Sequence, residues 1–192
     1  MAASPIEAGV YWIQNIRTKT VVDLKDGMSH HHHSTGRLQI FVVHISSHQV
    51  PRQTFVFCVL DTPLQGMKKR ELNDDLVPSQ LWIIAPSTGS SPEAFTLQNA
   101  NGRSYATIDK GLAVSGTPIT GMQPGASVTG DSNKWTITPT ADKVAYNIRN
   151  VESGTYMDLR GGGASDGTVI QGWGDARTNS NQRWLIVPTQ AS

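Results

Sequence analysis

The chain has 192 residues, a formal net charge of +1, 16% charged residues and a single cysteine. That length can bury a substantial core in one domain. The near-neutral balance gives no electrostatic case for nucleic acid or an anionic membrane, and Cys58 alone cannot form an intrachain disulfide. No stretch is long and apolar enough to span a bilayer. The first residues, Met1-Ala2-Ala3-Ser4-Pro5-Ile6-Glu7, have neither the basic start nor the apolar run of a signal peptide.

In chain order, Tyr11-Trp12-Ile13-Gln14-Asn15 is a short strand signal, and Val22-Asp23-Leu24 is a second one with a carboxylate set in it. Trp12 and Ile16 are expected to face a barrel or its cap. A long segment from about Met28 to Leu60 interrupts the pattern. It carries His30 to His33, the apolar run Leu38 to Ile45 and a second run, Phe55 to Val59. Then come Thr62-Pro63-Leu64-Gln65-Gly66, a charged loop Lys68-Lys69-Arg70-Glu71-Leu72-Asn73-Asp74-Asp75, and Leu81-Trp82-Ile83-Ile84. The charged run reads as a solvated loop. A polar linker, Ser87 to Pro92, leads to Phe95-Thr96-Leu97-Gln98-Asn99. Thr117-Pro118-Ile119-Thr120-Gly121 and Lys134-Trp135-Thr136-Ile137 follow. The last stretch holds Tyr146-Asn147-Ile148-Arg149-Asn150, Tyr156-Met157-Asp158-Leu159, the turn Gly161-Gly162-Gly163, Thr168-Val169-Ile170-Gln171-Gly172-Trp173, and Arg183-Trp184-Leu185-Ile186. Strands this short, parted by Gly, Asn, Asp and Ser, argue an all-β chain, and no helical period persists.

The same unit therefore occurs three times. Each copy has an aromatic-led opening strand ending in Asn, a Thr-x-hydrophobic-x-Gly segment and a closing strand with Trp82, Trp135 or Trp184, with Pro86, Pro139 or Pro188 close behind. Repeat one spans 9–86 with its insert at about 28–60, repeat two 93–139 and repeat three 144–188, all within a single domain, 1–192. Units of this size cannot each bury a core; closing around a shared axis removes their open edges.

The closing-strand box Gln80-Leu81-Trp82 and Gln182-Arg183-Trp184, degraded to Asn133-Lys134-Trp135, resembles the Gln-x-Trp box of the ricin B-type lectins. With the repeat, it makes nearly the whole chain similar to the fungal ricin B-like lectins. The resemblance implies a β-trefoil of three four-stranded repeats with pseudo-threefold symmetry. It implies a cytoplasmic defence lectin that agglutinates by binding galactose or N-acetylgalactosamine termini of glycoproteins or glycolipids, with no nucleic-acid partner, no membrane insertion and a possible homodimer. The same fold serves protease inhibitors, so a basic loop such as Lys68-Lys69-Arg70 offers an alternative.

A sugar site needs short acceptors and donors for ring hydroxyls and a flat apolar partner for the C–H face. A carboxylate receiving two adjacent hydroxyls makes charge-assisted bonds. The resemblance assigns Asp158 to that acceptor role, Trp173 to stacking and Asn181 to a second hydroxyl. Gln171 and Gln182 line the site or orient Asp158, Gly161 joins its turn, and the loop Gly174-Asp175-Ala176-Arg177-Thr178-Asn179 forms its rim, with Arg177 the nearest candidate for a cation there. Trp173 is the discriminating residue, since Met67 and Met122 stand at its place in the other repeats. Thr107 replaces Asp158 in repeat two, whereas repeat one keeps Asp23, for which a turn-fixing carboxylate is the alternative reading. Trp82, Trp135 and Trp184 read as core. Gln182 can also be read as a fold residue bonding loop backbone.

Asp23 lies thirty-nine residues from Thr62, whereas Asp158 lies ten from Thr168, so roughly thirty residues are inserted in repeat one. Four adjacent histidines with His44, His48 and Cys58 suggest metal, but adjacent side chains diverge and no ligand spacing precedes a rigid element, so no metal or cofactor is expected. Two readings stay open: an extra hairpin that mediates self-association, or a segment outside the selected fold, such as a retained intron. No nucleophile elbow, phosphate loop or zinc-protease motif is present, and Cys58 reads as a small apolar residue, so no enzyme activity is expected.

Overall fold

The computed structural model describes residues 6–25, 62–87, 93–108, 111–123, 130–175 and 178–189 in full, and the backbone of 39–42 and 56–59. Each repeat supplies four strands. Repeat one gives β1 (Gly9–Asn15), β2 (Val21–Leu24), β5 (Thr62–Met67) and β6 (Trp82–Ser87). Repeat two gives β7 (Ala94–Asn99), β8 (Tyr105–Ile108), β9 (Thr117–Met122) and β10 (Lys134–Pro139). Repeat three gives β11 (Tyr146–Asn150), β12 (Tyr156–Leu159), β13 (Thr168–Trp173) and β14 (Trp184–Pro188). The remaining pair, β3 (Gln39–Val42) and β4 (Val56–Val59), lies in the insert.

The first and fourth strands close a six-membered antiparallel ring. β1 pairs β6, β6 pairs β7, β7 pairs β10, β10 pairs β11, β11 pairs β14, and β14 returns to β1. The second and third strands form one hairpin per repeat, β2–β5, β8–β9 and β12–β13. Their third strands then meet pairwise in a triangle, β5–β9, β9–β13 and β13–β5. A closed barrel capped by three hairpins is a β-trefoil, as the resemblance implied. Closure removes the open edges that four lone strands would expose.

The core repeats with the sequence. Ile13, Leu97 and Ile148 come from the opening strands; Leu24, Ile108 and Leu159 from the second; Leu64, Ile119 and Ile170 from the third; and the three closing tryptophans from the fourth, all at most 1% exposed. Each tryptophan also satisfies its indole N–H. Trp82, Trp135 and Trp184 donate to the carbonyls of Val22, Ala106 and Met157 at 2.9 Å, each within its own repeat. Buried indoles need such a partner, and truncating any of them costs about 3–5 kcal/mol.

Two further sets of residues join the repeats. The asparagine ending each opening strand holds the next turn through Oδ1 and donates Nδ2 to another repeat: Asn15 to Ser180 O at 2.9 Å, Asn99 to Ser79 O and Asn150 to Ser132 O at 2.8 Å. In the cap, the glycine of each Thr-x-hydrophobic-x-Gly segment lets a neighbour's strand through. A Cβ on Gly121 would stand 2.5 Å from Leu24 Cδ1, one on Gly172 2.9 Å from Ile108 Cδ1, and one on Gly66 2.8 Å from Leu159 Cδ1. That close approach is why this position is glycine in all three copies.

Three local expectations are revised. Ile13, one residue on, fills the barrel; Trp12 instead packs in a smaller cluster with Val21 and Val77. Ile16 is half-buried in the turn after β1. Pro86, Pro139 and Pro188 fall inside the ends of β6, β10 and β14 rather than after them. In the insert, β3 and β4 pair as an antiparallel hairpin separate from the main sheet, in line with the hairpin reading of the two apolar runs. His30 to His33, His44 and His48 lie outside the described residues.

Candidate functional site

Repeat three builds its site on the β12–β13 hairpin. Asp158 and Gln171 stand directly opposite each other across that pair. Gln171 Nε2 donates to Asp158 Oδ1 at 3.1 Å. Asp158 is only 4% exposed, and burial pushes its carboxyl above the usual carboxylate range, with the bonds from Gln171 and Gln182 opposing the shift.

Gln182 sits in a 3-10 turn, Ser180–Gln182, and is fully buried. Its Nε2 donates to Gly174 O at 2.9 Å, and its carbonyl accepts from Asn147 Nδ2 at 2.8 Å. It therefore orients Asp158 and ties the loop after Trp173 to the barrel from behind the site. The reading of Gln182 as a residue that bonds loop backbone describes this geometry better than a place on the sugar-facing wall.

A cleft of about 550 Å³ opens in front of these groups. It is of a size that suits a small ligand. Asp158, Gln171, Trp173, Asn181 and Gly161 all line it, so five of the residues singled out in the sequence converge. Arg177 lies outside the described residues. Trp173 ends β13 opposite Tyr156 and is 43% exposed, the one exposed aromatic side chain among the described residues. An indole held open at a cleft has no packing reason to be there.

The glycine turn after β12 shapes the facing wall. Gly161 and Gly162 both adopt left-handed backbone, at φ +60° and +64°. A Cβ on Gly162 would overlap Asn181 Oδ1, so glycine there gives Asn181 its place, whereas nothing stands within 4 Å of a Cβ on Gly161. The Asn181 amide donates to Asn179 Oδ1 at 3.0 Å, which caps the 3-10 turn.

Three lining residues escaped the sequence reading, Ser115, Gly116 and Arg160, whereas Asn179 ends the polar loop that was expected to form the rim. Ser115 and Gly116 belong to repeat two and reach the cleft only because the trefoil closes. Gly116 N donates to Gly172 O at 2.8 Å, and a Cβ on Gly116 would lie 3.7 Å from Trp173 Cζ3. Arg160 was legible as the neighbour of Gly161, but no residue-type signal marked it.

The other repeats keep the frame without the pairing of a carboxylate with an indole. Asp23 pairs in register with Gln65 as Asp158 does with Gln171. Its two oxygens are already occupied, Oδ1 by Gln65 Nε2 at 3.0 Å and Oδ2 by the Ser79 hydroxyl at 2.8 Å. Ser79 stands where repeat three has Asn181. Met67 replaces the indole. In repeat two, Thr107 sits opposite Thr120, donates to Tyr105 O at 2.9 Å, and faces no carboxylate chemistry. In the basic loop of repeat one, Lys69 Nζ lies 3.9 Å from the Trp12 ring centroid, and Arg70 pairs with Asp74 at 3.0 Å. Lys68, the remaining basic residue of that loop, is exposed.

A family model described as ricin-type beta-trefoil lectin domain-like matches residues 78–173, half of the chain. The chain belongs to the ricin-type β-trefoil lectin family. Comparison with curated proteins found no match. Among solved structures, the Rhizoctonia solani agglutinin is 19% identical with a TM-score of 0.65, and the match covers 97% of this chain and 99% of that one. The Macrolepiota procera ricin B-like lectin, solved in complex with lactose, is 20% identical with a TM-score of 0.62, covering 96% and 99%. The Polyporus squamosus lectin, bound to the epitope Neu5Acα2-6Galβ1-4GlcNAc, is 22% identical with a TM-score of 0.59. There the match covers 95% of this chain and 50% of that lectin, so the chain spans about half its length. At these identities the likeness establishes a shared trefoil fold. Within this lectin family chain, the one open cleft that combines a carboxylate with an exposed indole among the described residues is that of repeat three.

Proposed function

We propose that the protein is a lectin that binds galactose- or N-acetylgalactosamine-type glycan ends through the repeat-three cleft. The observation that carries this reading is the pairing of a buried, pre-oriented carboxylate with an exposed indole across one cleft, Asp158 and Trp173. Asp158, held by Gln171 and Gln182, accepts from two adjacent ring hydroxyls. Trp173 covers the C–H face, which galactose presents more fully than its C4 epimer glucose. Asn181 adds a second polar contact at the opposite wall. The frame is set before the sugar arrives, which lowers the ordering cost of binding. The lactose complex of the Macrolepiota lectin supports a galactoside ligand.

A single shallow cleft gives millimolar to high-micromolar affinity per monosaccharide, about −4 to −6 kcal/mol. Agglutination and a defence role then require two clefts per particle, which a homodimer supplies. Titration calorimetry with methyl β-galactoside and methyl β-glucoside tests the assignment. Saturable binding of the galactoside with at least tenfold weaker glucoside binding is expected. Equal affinities, or heats no greater than dilution for both, would reject it.

A further inference from the structure

A neutral galactoside leaves one part of the cleft unused. Arg160, the first residue after β12, lines the opening, is exposed, and makes no ion pair or side-chain hydrogen bond among the described residues. A second guanidinium approaches the same turn. Arg17 Nη1 lies 3.5 Å from the point where a Gly162 Cβ would stand, the place that Asn181 Oδ1 also approaches. Arg17 is exposed and likewise has no acidic partner among the described residues. Beside Arg160, Gly161 leaves the wall open, with nothing within 4 Å of where a side chain would begin. Asp158 is the one acid that lines the cleft among the described residues; it is buried, and its Oδ1 is engaged by Gln171. The inner end of the site is thus acidic and committed to hydroxyls, and its glycine-turn rim is cationic and uncommitted.

We propose that the cleft prefers an anionic galactoside, with the negative group carried on the exocyclic O6 arm and met at the rim by Arg160, with Arg17 adding to the field. This rests on the galactoside reading of the same site. The choice of O6 follows from the ring itself. The free ring hydroxyls of a β-galactoside are O2, O3 and O4, so any adjacent pair that Asp158 accepts must include O3. A charge on O3 would both remove that donor and set an anion against the Asp158 carboxylate. The O6 arm stands outside the pair and is long enough to leave the ring plane. Guanidinium is suited to the planar, bidentate reception of sulfate or carboxylate. Because the rim is solvated, the gain is modest and sensitive to salt.

The test compares affinities of methyl β-galactoside, its 6-sulfate, its 3-sulfate, and a disaccharide that links a carboxylate-bearing sugar to O6. The 6-sulfate is expected to bind about two- to fivefold tighter than the neutral sugar. That ratio should fall toward one in Arg160→Ala, whatever happens to the neutral affinity itself, and should survive in Arg160→Lys. It should also shrink in high salt, and the 3-sulfate should not bind. The better of the two O6 anions identifies the source, sulfate ester or acidic sugar. A 6-sulfate that binds no tighter than the neutral sugar, or a ratio that persists in Arg160→Ala, overturns the proposal and leaves the galactoside reading standing. Failure of every probe, the neutral one included, would remove both.

Discussion

The Ser115 hydroxyl of repeat two accepts a hydrogen bond from the Gly174 amide of repeat three at 2.9 Å, one residue beyond Trp173. Its counterpart joins repeats three and one, where Asp166 Oδ1 accepts from the Lys68 amide at 2.6 Å, one residue beyond Met67. Backbone bonds run beside both, from Gly116 N to Gly172 O and from Gly167 N to Gly66 O. The turn between second and third strands of one repeat therefore walls the site of the next. In Ser115→Ala the Gly174 amide loses its protein acceptor and the loop after Trp173 loosens. Galactoside affinity should fall by about two- to tenfold, the equivalent of one net hydrogen bond. Melting temperature should change by no more than about 2–4 °C, because Ser115 is exposed and water replaces the bond. Titration beside a thermal melt reads both.

Asp23 and Asp158 share a position in the fold and differ in what holds them. Asp23→Ala leaves Gln65 and Ser79 facing a buried gap, so unfolding should become easier by about 1–3 kcal/mol with glycan binding unchanged. Asp158→Asn keeps the volume and removes the charge, so binding should be lost. Denaturant unfolding and titration of the two variants should show opposite patterns.

The cap glycines make a packing prediction. In Gly121→Ala the new methyl stands 2.5 Å from Leu24 Cδ1 and 2.7 Å from Ser104 Oγ, so the cap must give way. Destabilisation of about 1–3 kcal/mol is expected, typical of overpacking, and denaturant unfolding measures it.

Acid should act on fold and binding separately. Asp142, at the turn into β11, is held at about 2 by the Thr140 hydroxyl, the Val144 amide and the ion pair with Arg183. A carboxyl depressed in the folded state contributes stability that is complete above its unfolded value near 4 and disappears as pH falls toward 2. Stability should thus decline across that window, less steeply in Asp142→Asn. Asp158 is shifted the other way, upward by burial, and binding needs its ionised form. Galactoside affinity should therefore fall at a higher pH than an ordinary carboxylate dictates, while the protein is still folded. Titrations and melts across the same pH series separate the two effects.

The fold was legible because threefold repetition writes each structural requirement three times. Three tryptophans in matching closing strands must share one environment, and each donates to a second-strand carbonyl. The site was legible where symmetry breaks: Trp173 against Met67 and Met122, Asp158 against Thr107. What stayed hidden depends on closure. Nothing in Ser115-Gly116 marks a site wall, because its partner is fifty-odd residues away and the contact exists only once β9 and β13 pair. The satisfaction of Asp23 was equally hidden, since a serine in place of Asn181 reads as a polar substitution until its hydroxyl is seen on Oδ2. Gln182 was half visible: the Gln-x-Trp box marked its position, but only burial shows that it works from behind the cleft.

The most direct test of the central claim is a glycan-array screen of the protein beside Trp173→Ala, with thermal melts of both. Trp173 is 43% exposed and carries little of the core, so the melting temperature should hold. The account predicts binding to galactose-terminated glycans that disappears in the variant. Undiminished binding by the variant, or no binding by either protein, would contradict it.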